Sequence, residues 1–343
     1  MAQTITVTII GLGRLGASVG LALQRYNKKG NTPHKFDITG VDERPAMLAE
    51  AEKMGAVSKT ARNLYSAVHD RDIIVLAQPY AEVRRTYQAI GKDIRAGGVV
   101  LDFSPLKMPS IRWAKEYLSD ESHMVGLTPV VNPRYLYDGL DDTEHAAADF
   151  FDKGSMMMMP SPSCIREAVE LAGDFSSLLG ATIHFMDPME HDSLIGATLG
   201  LPTLLGVMSF YTLSHNAGWG DLQRLTNPPF GRLTHALFDT HPDDLRDLWL
   251  NSRDSLTHQI DDLIQKLYDV RQALAQEDHN TLEAVLTDAA DQYSAWINKR
   301  HNNKWDDSIQ SIPTPSTGET LMTGLMGGAL VRRLRGGKDD SSR

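Results

Sequence analysis

The chain has 343 residues and a formal net charge of -10. That length suffices for two domains, each with its own core, and the charge argues against general nucleic-acid binding, which needs clustered Lys and Arg. Its single cysteine, Cys164, excludes an internal disulfide and fits a reducing, cytoplasmic setting; no basic segment precedes the first apolar run, so no signal peptide is expected.

Thr4 to Ile10 reads as a strand running into Gly11-Leu12-Gly13-Arg14-Leu15-Gly16, with helix-forming Ala17 to Gln24 next. In a strand-turn-helix unit of this kind Gly11 allows a tight turn, Gly13 lets a pyrophosphate approach the backbone, and Gly16 lets helix and strand pack closely. The free N–H groups of Leu12, Arg14 and Leu15 then face an anion at a helix N-terminus. Phe36 to Val41 reads as the second strand and ends in Asp42, a carboxylate suited to ribose hydroxyls, which favours NAD. Arg44 leaves NADP open. The polar stretch Asn27 to Lys35 lengthens the usual spacing between glycines and carboxylate.

Apolar runs at Ile73 to Ala77, Val99 to Phe103 and His123 to Leu127 read as buried strands, separated by helices at Ala46 to Met54, Ala81 to Ile90 and Pro109 to Leu118. Gln78 and Ser104, just after two of these strands, are further candidates for cofactor contact. Ser155 to Met159 and Thr182 to Met186 add strands around a helix at Ser163 to Leu179, and the run Met156 to Met159 reads as core strand. This alternation predicts a mostly parallel sheet with helices on both faces.

The pattern changes at Asp187-Pro188, an N-cap followed by a first-turn proline, and only helical spacing follows. Leu256, Ile260, Leu263, Leu267, Val270 and Leu274 form one apolar stripe; Leu282, Val285, Leu286, Ala289 and Trp296 form another. Such faces suit a homodimer. Ser193 to Ser214 carries no charge, but its glycines, hydroxyls and Pro202 favour a helix buried in a soluble core or dimer interface over a membrane span. The expected layout is 1–187, a dinucleotide-binding domain; 188–307, a helical substrate and dimerisation domain; and 308–343, a Ser/Thr/Pro-rich linker and a tail whose apolar segment spans Leu321 to Leu334.

Met186-Asp187-Pro188-Met189-Glu190-His191-Asp192, followed by an uncharged helix with Leu201-Pro202, closely resembles the entry to the helical domain of the prephenate/arogenate dehydrogenase family. Asp102-Phe103-Ser104-Pro105-Leu106-Lys107 is similar to the family's Asp-x-Gly-Ser-x-Lys pattern, and Gly126-Leu127-Thr128-Pro129 to its Gly-x-His-Pro. The resemblance runs from about Thr4 to about Arg300. It implies a Rossmann-type α/β N-terminal domain joined to an all-α C-terminal dimerisation domain, and oxidative decarboxylation of a small anionic substrate with hydride passing to nicotinamide. The chain departs from the family where the chemistry sits: Thr128 stands at the catalytic histidine, Pro105 at the serine, Gly200 and Thr203 at two further histidines, and His235 at a carboxylate-binding arginine. By resemblance, Ser104, Lys107, Thr128 and His191 are the catalytic candidates. Asn132, Arg134, Thr203, Arg232 and His235 are the substrate-binding ones. No metal-ligand spacing is present among the histidines. Two other readings remain open: a dimeric NAD-binding protein without turnover, and a reductase using NAD(P)H on another small anion.

Overall fold

The computed structural model describes residues 3–30 and 32–305. The linker and the apolar tail segment expected after residue 307 lie outside the described residues. Two compact units divide between Met189 and Glu190.

The first unit is built on one sheet of eight strands in the order β3-β2-β1-β4-β5-β6-β7-β8. The strands are β1 (Gln3–Ile10), β2 (His34–Val41), β3 (Lys59–Thr60), β4 (Ile73–Leu76), β5 (Val99–Asp102), β6 (His123–Val130), β7 (Ser155–Pro160) and β8 (Thr182–Phe185). All pairs are parallel except β6 with β7, which run antiparallel with Thr128 opposite Met157. The helices are α1 (Arg14–Asn27), α2 (Pro45–Lys53), α3 (Leu64–Val68), α4 (Tyr80–Ile90), α5 (Lys107–Tyr117) and α6 (Arg166–Leu179). β4 and β5 are buried at every position, the signature of strands covered on both faces. Met156 and Met158 lie in the core with Phe151, Phe175 and Leu179, as a core strand requires. The polar stretch after α1 closes as a turn because Asn27 accepts the Phe36 amide and donates to the Phe36 carbonyl, both at 2.8 Å. The chain reverses strand order between β1 and β4, so the carboxyl ends of these strands open a crevice where ligands bind in such sheets.

The second unit contains only helices among the described residues. α7 (Pro188–Ile195) begins in the first unit, where the Asp187 carboxylate accepts the Met189 amide at 2.9 Å. It continues through a π-helical turn, Gly196–Gly200, into α8 (Leu201–Ser214). Short helices α9 (Trp219–Leu222), α10 (Pro228–Leu233) and α11 (Ala236–Asp239) precede α12 (Pro242–Asn251), α13 (Arg253–Ala275) and α14 (His279–Asn302). Gly196 and Gly200 let α13 approach closely: a Cβ on Gly196 would stand 2.8 Å from Ser255 Oγ, and one on Gly200 3.5 Å from Leu256 Cδ1. The small-residue spacing therefore packs one helix of this unit against another.

The expectation of a buried helix at 193–214 is corrected in part. The helical run Pro188–Ser214 is long and apolar enough to cross a membrane by length and composition, yet only 17% of its apolar window is buried within the chain. It is not the core of its own unit. The stripes on α13 and α14 are exposed in part: Leu256 is buried and Ile260, Leu263, Val270 and Leu282 are half-buried, while Leu267 is 55%, Leu274 60% and Leu286 70% exposed.

Candidate cofactor site and active site

Gly11 sits at φ +92°, and a Cβ there would overlap the Ala77 carbonyl at the end of β4. Only glycine meets both demands. A Cβ on Gly16 would overlap the Gly11 carbonyl and reach Ile9, so this glycine sets the close packing of α1 on β1. Asp42, at the end of β2, returns to the turn: its Oδ2 accepts the Leu12 amide at 2.8 Å, and its Oδ1 accepts the Arg44 amide at 2.9 Å and Arg44 Nε at 3.1 Å. Hydrogen bonding to Asp42 raises the Arg44 guanidinium further above its ordinary value. A carboxylate offers about four lone-pair sites, and the Leu12 amide with three Arg44 N–H groups takes them, so ribose hydroxyls are accepted there as the exposed Arg44 side chain gives way. An open cavity of about 420 Å³ beside this point is lined by Glu43, Leu64, Tyr65, Glu82, Arg85 and Thr86. Gln78 follows β4 and donates to Thr86 Oγ1 at 2.6 Å, which turns its amide toward α4.

The Arg14 side chain is engaged within the protein. It is buried, with Nη1 donating to the Leu140 carbonyl at 2.9 Å and Nη2 meeting Asp138 at 2.6 Å. The guanidinium lies 5.0 Å from the rings of both Tyr135 and Phe150. Its cation is therefore engaged by the segment after β6. Leu15 is half-buried against the core.

The ends of β5 and β6 carry a buried polar network. Tyr87 donates to Asp102 Oδ2 at 2.8 Å and the Ser104 amide to Asp102 Oδ1 at 2.7 Å; Ser104 Oγ pairs with Ser110 Oγ at 2.8 Å. Burial, with Asp102's charge adding to it, holds the Tyr87 phenol well above its ordinary value. Lys107 is fully buried, and its ammonium donates to the carbonyls of Asp102 (3.1 Å), Ser104 and Leu127 (3.0 Å). Its ammonium meets three carbonyls, so Lys107 ties β5 to β6. Gly126 makes room for it, since a Cβ there would stand 2.8 Å from Lys107 Cδ. Thr128, next along β6, has its Oγ1 buried without a hydrogen-bond partner among the described residues.

Asn132 and Arg134 are likewise engaged by neighbouring groups. Asn132 is buried, accepts the Arg134 amide at 3.2 Å and donates to the Asp149 carbonyl at 3.1 Å, so its amide holds the chain after β6. Arg134 is paired with Asp149 at 2.7 Å and lies over the Tyr135 ring.

In the helical unit His191 is buried, with Nδ1 2.9 Å from Asp192 Oδ1. Thr203 donates back to the Leu199 carbonyl at 2.8 Å and accepts Trp249 Nε1 at 3.3 Å, a packing arrangement on α8. His235 Nε2 meets Asp239 at 3.0 Å, and Arg232 on α10 is exposed. Among the described residues no group of His, Cys, Asp and Glu could hold a metal ion. Sequence reasoning missed Tyr87, Ser110 and the contacts of residues 138–147. A tyrosine in an amphipathic helix and a threonine in a polar loop carry no local mark of such partners.

Residues 19–185 match the family of prephenate dehydrogenase nucleotide-binding domains. The matched stretch begins after the glycine turn, so the turn's geometry is separate support. No curated protein matches the sequence. Among solved structures, the fold is similar to prephenate dehydrogenase from Aquifex aeolicus, a complex with hydroxyphenyl propionate and NAD+ (TM-score 0.70, 18% identity, 85% of this chain and 98% of that one). It is also similar to arogenate dehydrogenase from Synechocystis (TM-score 0.62, 16% identity, 85% and 100%). The family match thus describes most of the α/β unit, which is similar to a prephenate dehydrogenase nucleotide-binding domain.

Proposed function

We propose that this protein is an NAD-dependent oxidoreductase acting on a small anionic hydroxy compound of the prephenate or arogenate type. The observation that carries the cofactor is the turn itself, with glycine required at residues 11 and 16 and the Asp42 carboxylate hydrogen-bonded to the Leu12 amide. The amides at the start of α1 would hold the pyrophosphate and Asp42 the ribose hydroxyls. Glu43 and Glu82 beside Asp42, with Arg44 already paired to it, favour NAD over a 2′-phosphorylated cofactor. When bound, nicotinamide supplies the hydride acceptor.

Thr128 is the chain's own group at the end of β6, and its hydroxyl can orient a substrate alcohol. It cannot hold that alcohol's proton at neutral pH; His191, with Asp192 Oδ1 2.9 Å from its Nδ1, is proposed as the helical unit's own acid–base group. Arg232 and His235 are proposed as the helical unit's groups for an anionic substrate. Tyrosine biosynthesis and a cytoplasmic location belong to this same reading. NADH formation followed at 340 nm with prephenate and with arogenate tests it; no turnover above background with either removes the substrate assignment.

Thr128 favours a second reading, a dinucleotide-binding protein without dehydrogenase turnover. Calorimetric NAD binding with no hydride transfer to a panel of hydroxy acids would select it.

We infer further that the helical unit is a homodimer interface. Leu267, Leu274, Leu286 and Trp296 stay exposed on helices whose spacing otherwise matches core-facing stripes. Light scattering coupled to size exclusion tests this, and a monomer at micromolar concentration would refute it.

A further inference from the structure

The backbone amide expected to meet a pyrophosphate already has a partner in this chain. Arg14 N–H, the first of α1, donates to the Asp141 carbonyl at 3.0 Å. Around that bond the segment 138–147 is fastened to the glycine turn, α1 and α2 by five more contacts. Arg14's guanidinium holds the Leu140 carbonyl and the Asp138 carboxylate. Thr143, fully buried, donates to the Leu12 carbonyl at 2.5 Å and lies 2.8 Å from Met47 Sδ. Ala147 N–H donates to Ser18 Oγ at 3.0 Å. The segment approaches so closely that a Cβ on Gly13 would stand 3.2 Å from the Asp141 oxygen. The glycine that should admit a phosphate admits a peptide carbonyl.

Resting on the cofactor reading above, we propose that residues 138–147 are an autoinhibitory strap, which closes the dinucleotide site by standing in for the pyrophosphate oxygen. A carbonyl oxygen and a phosphate oxygen cannot share one N–H. The strap also carries Asp138, Asp141, Asp142 and Glu144, so its charge opposes an arriving phosphate. The dinucleotide binds only the fraction of molecules with the strap lifted, and the apparent dissociation constant rises by the inverse of that fraction. Thr143 is the bolt: its hydroxyl is the buried polar contact that joins the strap to both the glycine turn and α2.

The test compares full-length wild type with Thr143→Val and, independently, Asp138→Asn. NAD affinity is read by calorimetry, NADH association by stopped-flow fluorescence, and the Arg14 and Ala147 amides by hydrogen exchange. Loss of one strap bond is expected to tighten NAD binding about fivefold and speed NADH association to a similar degree. NAD should accelerate exchange at Ala147 while Arg14 stays protected, since a phosphate replaces the carbonyl there. If wild type and both variants bind NAD equally and Ala147 exchange does not respond, the strap is overturned and the cofactor reading stands. If none of the three binds NAD, both fall together.

Discussion

The Asp42 carboxylate accepts the Leu12 amide at 2.8 Å across 30 residues of chain, so the acid at the end of β2 holds the glycine turn in shape. Asp42→Asn keeps an acceptor but loses the charge that pairs with Arg44. NAD affinity should fall roughly tenfold, and NADP should lose far less because the freed guanidinium can meet its 2′-phosphate. Titration with both cofactors checks this, and an equal loss for both would show that Asp42 does not select.

Thr128 Oγ1 is buried and has no partner among the described residues, so Thr128→Val removes a hydroxyl at no loss of a hydrogen bond there. Stability should be unchanged or higher by about 1 kcal/mol. If the hydroxyl serves a substrate alcohol, kcat/KM should drop about tenfold or more. Thermal melts and steady-state kinetics on the same preparation separate the two effects.

Lys107→Met strips three carbonyls of their donor in a site without water access. A loss of about 3 kcal/mol is expected, seen as a lower urea midpoint. Were Lys107 instead a substrate anchor, KM would rise at constant stability.

Burial, reinforced by Glu170, pushes the Asp174 carboxyl on α6 up to about 6 from an ordinary 3.8. Between these values the native chain binds a proton that the unfolded chain does not. The group therefore lowers stability above pH 6, and the penalty vanishes as pH falls toward 4. Asp174→Asn should stabilise at pH 7.5 by about 1 kcal/mol, after allowance for solvent screening, and by nothing from this source near pH 4. Melting temperatures across that range decide it; a pH-independent gain would point to packing instead.

The α/β rhythm was legible because its strands are continuous apolar runs. Val99 to Asp102 needs no partner to be recognised as a strand covered on both faces. The antiparallel setting of β7 was not legible, since Met156 to Met159 reads the same in either direction. Lys107 shows the limit at the site: a lysine near the crevice reads as a cation for an anion, and only the fold reveals three carbonyls around it. The side-chain partners of Arg14 were hidden for the same reason, since they lie more than a hundred residues away.

What the chain order alone determined is local in origin: the glycine turn, the carboxylate after the second strand, the helix start at Asp187-Pro188, and the periodicity of the helical half. These follow from backbone freedom and side-chain period, which neighbouring residues set. What only the tertiary structure decided is occupancy. Whether the Arg14 amide faces Asp141, whether the Lys107 ammonium is enclosed and whether the apolar stripes of α13 and α14 are covered depend on distant segments arriving at the same place. A hydrogen-bond donor is defined by its residue, but its acceptor is defined by the fold.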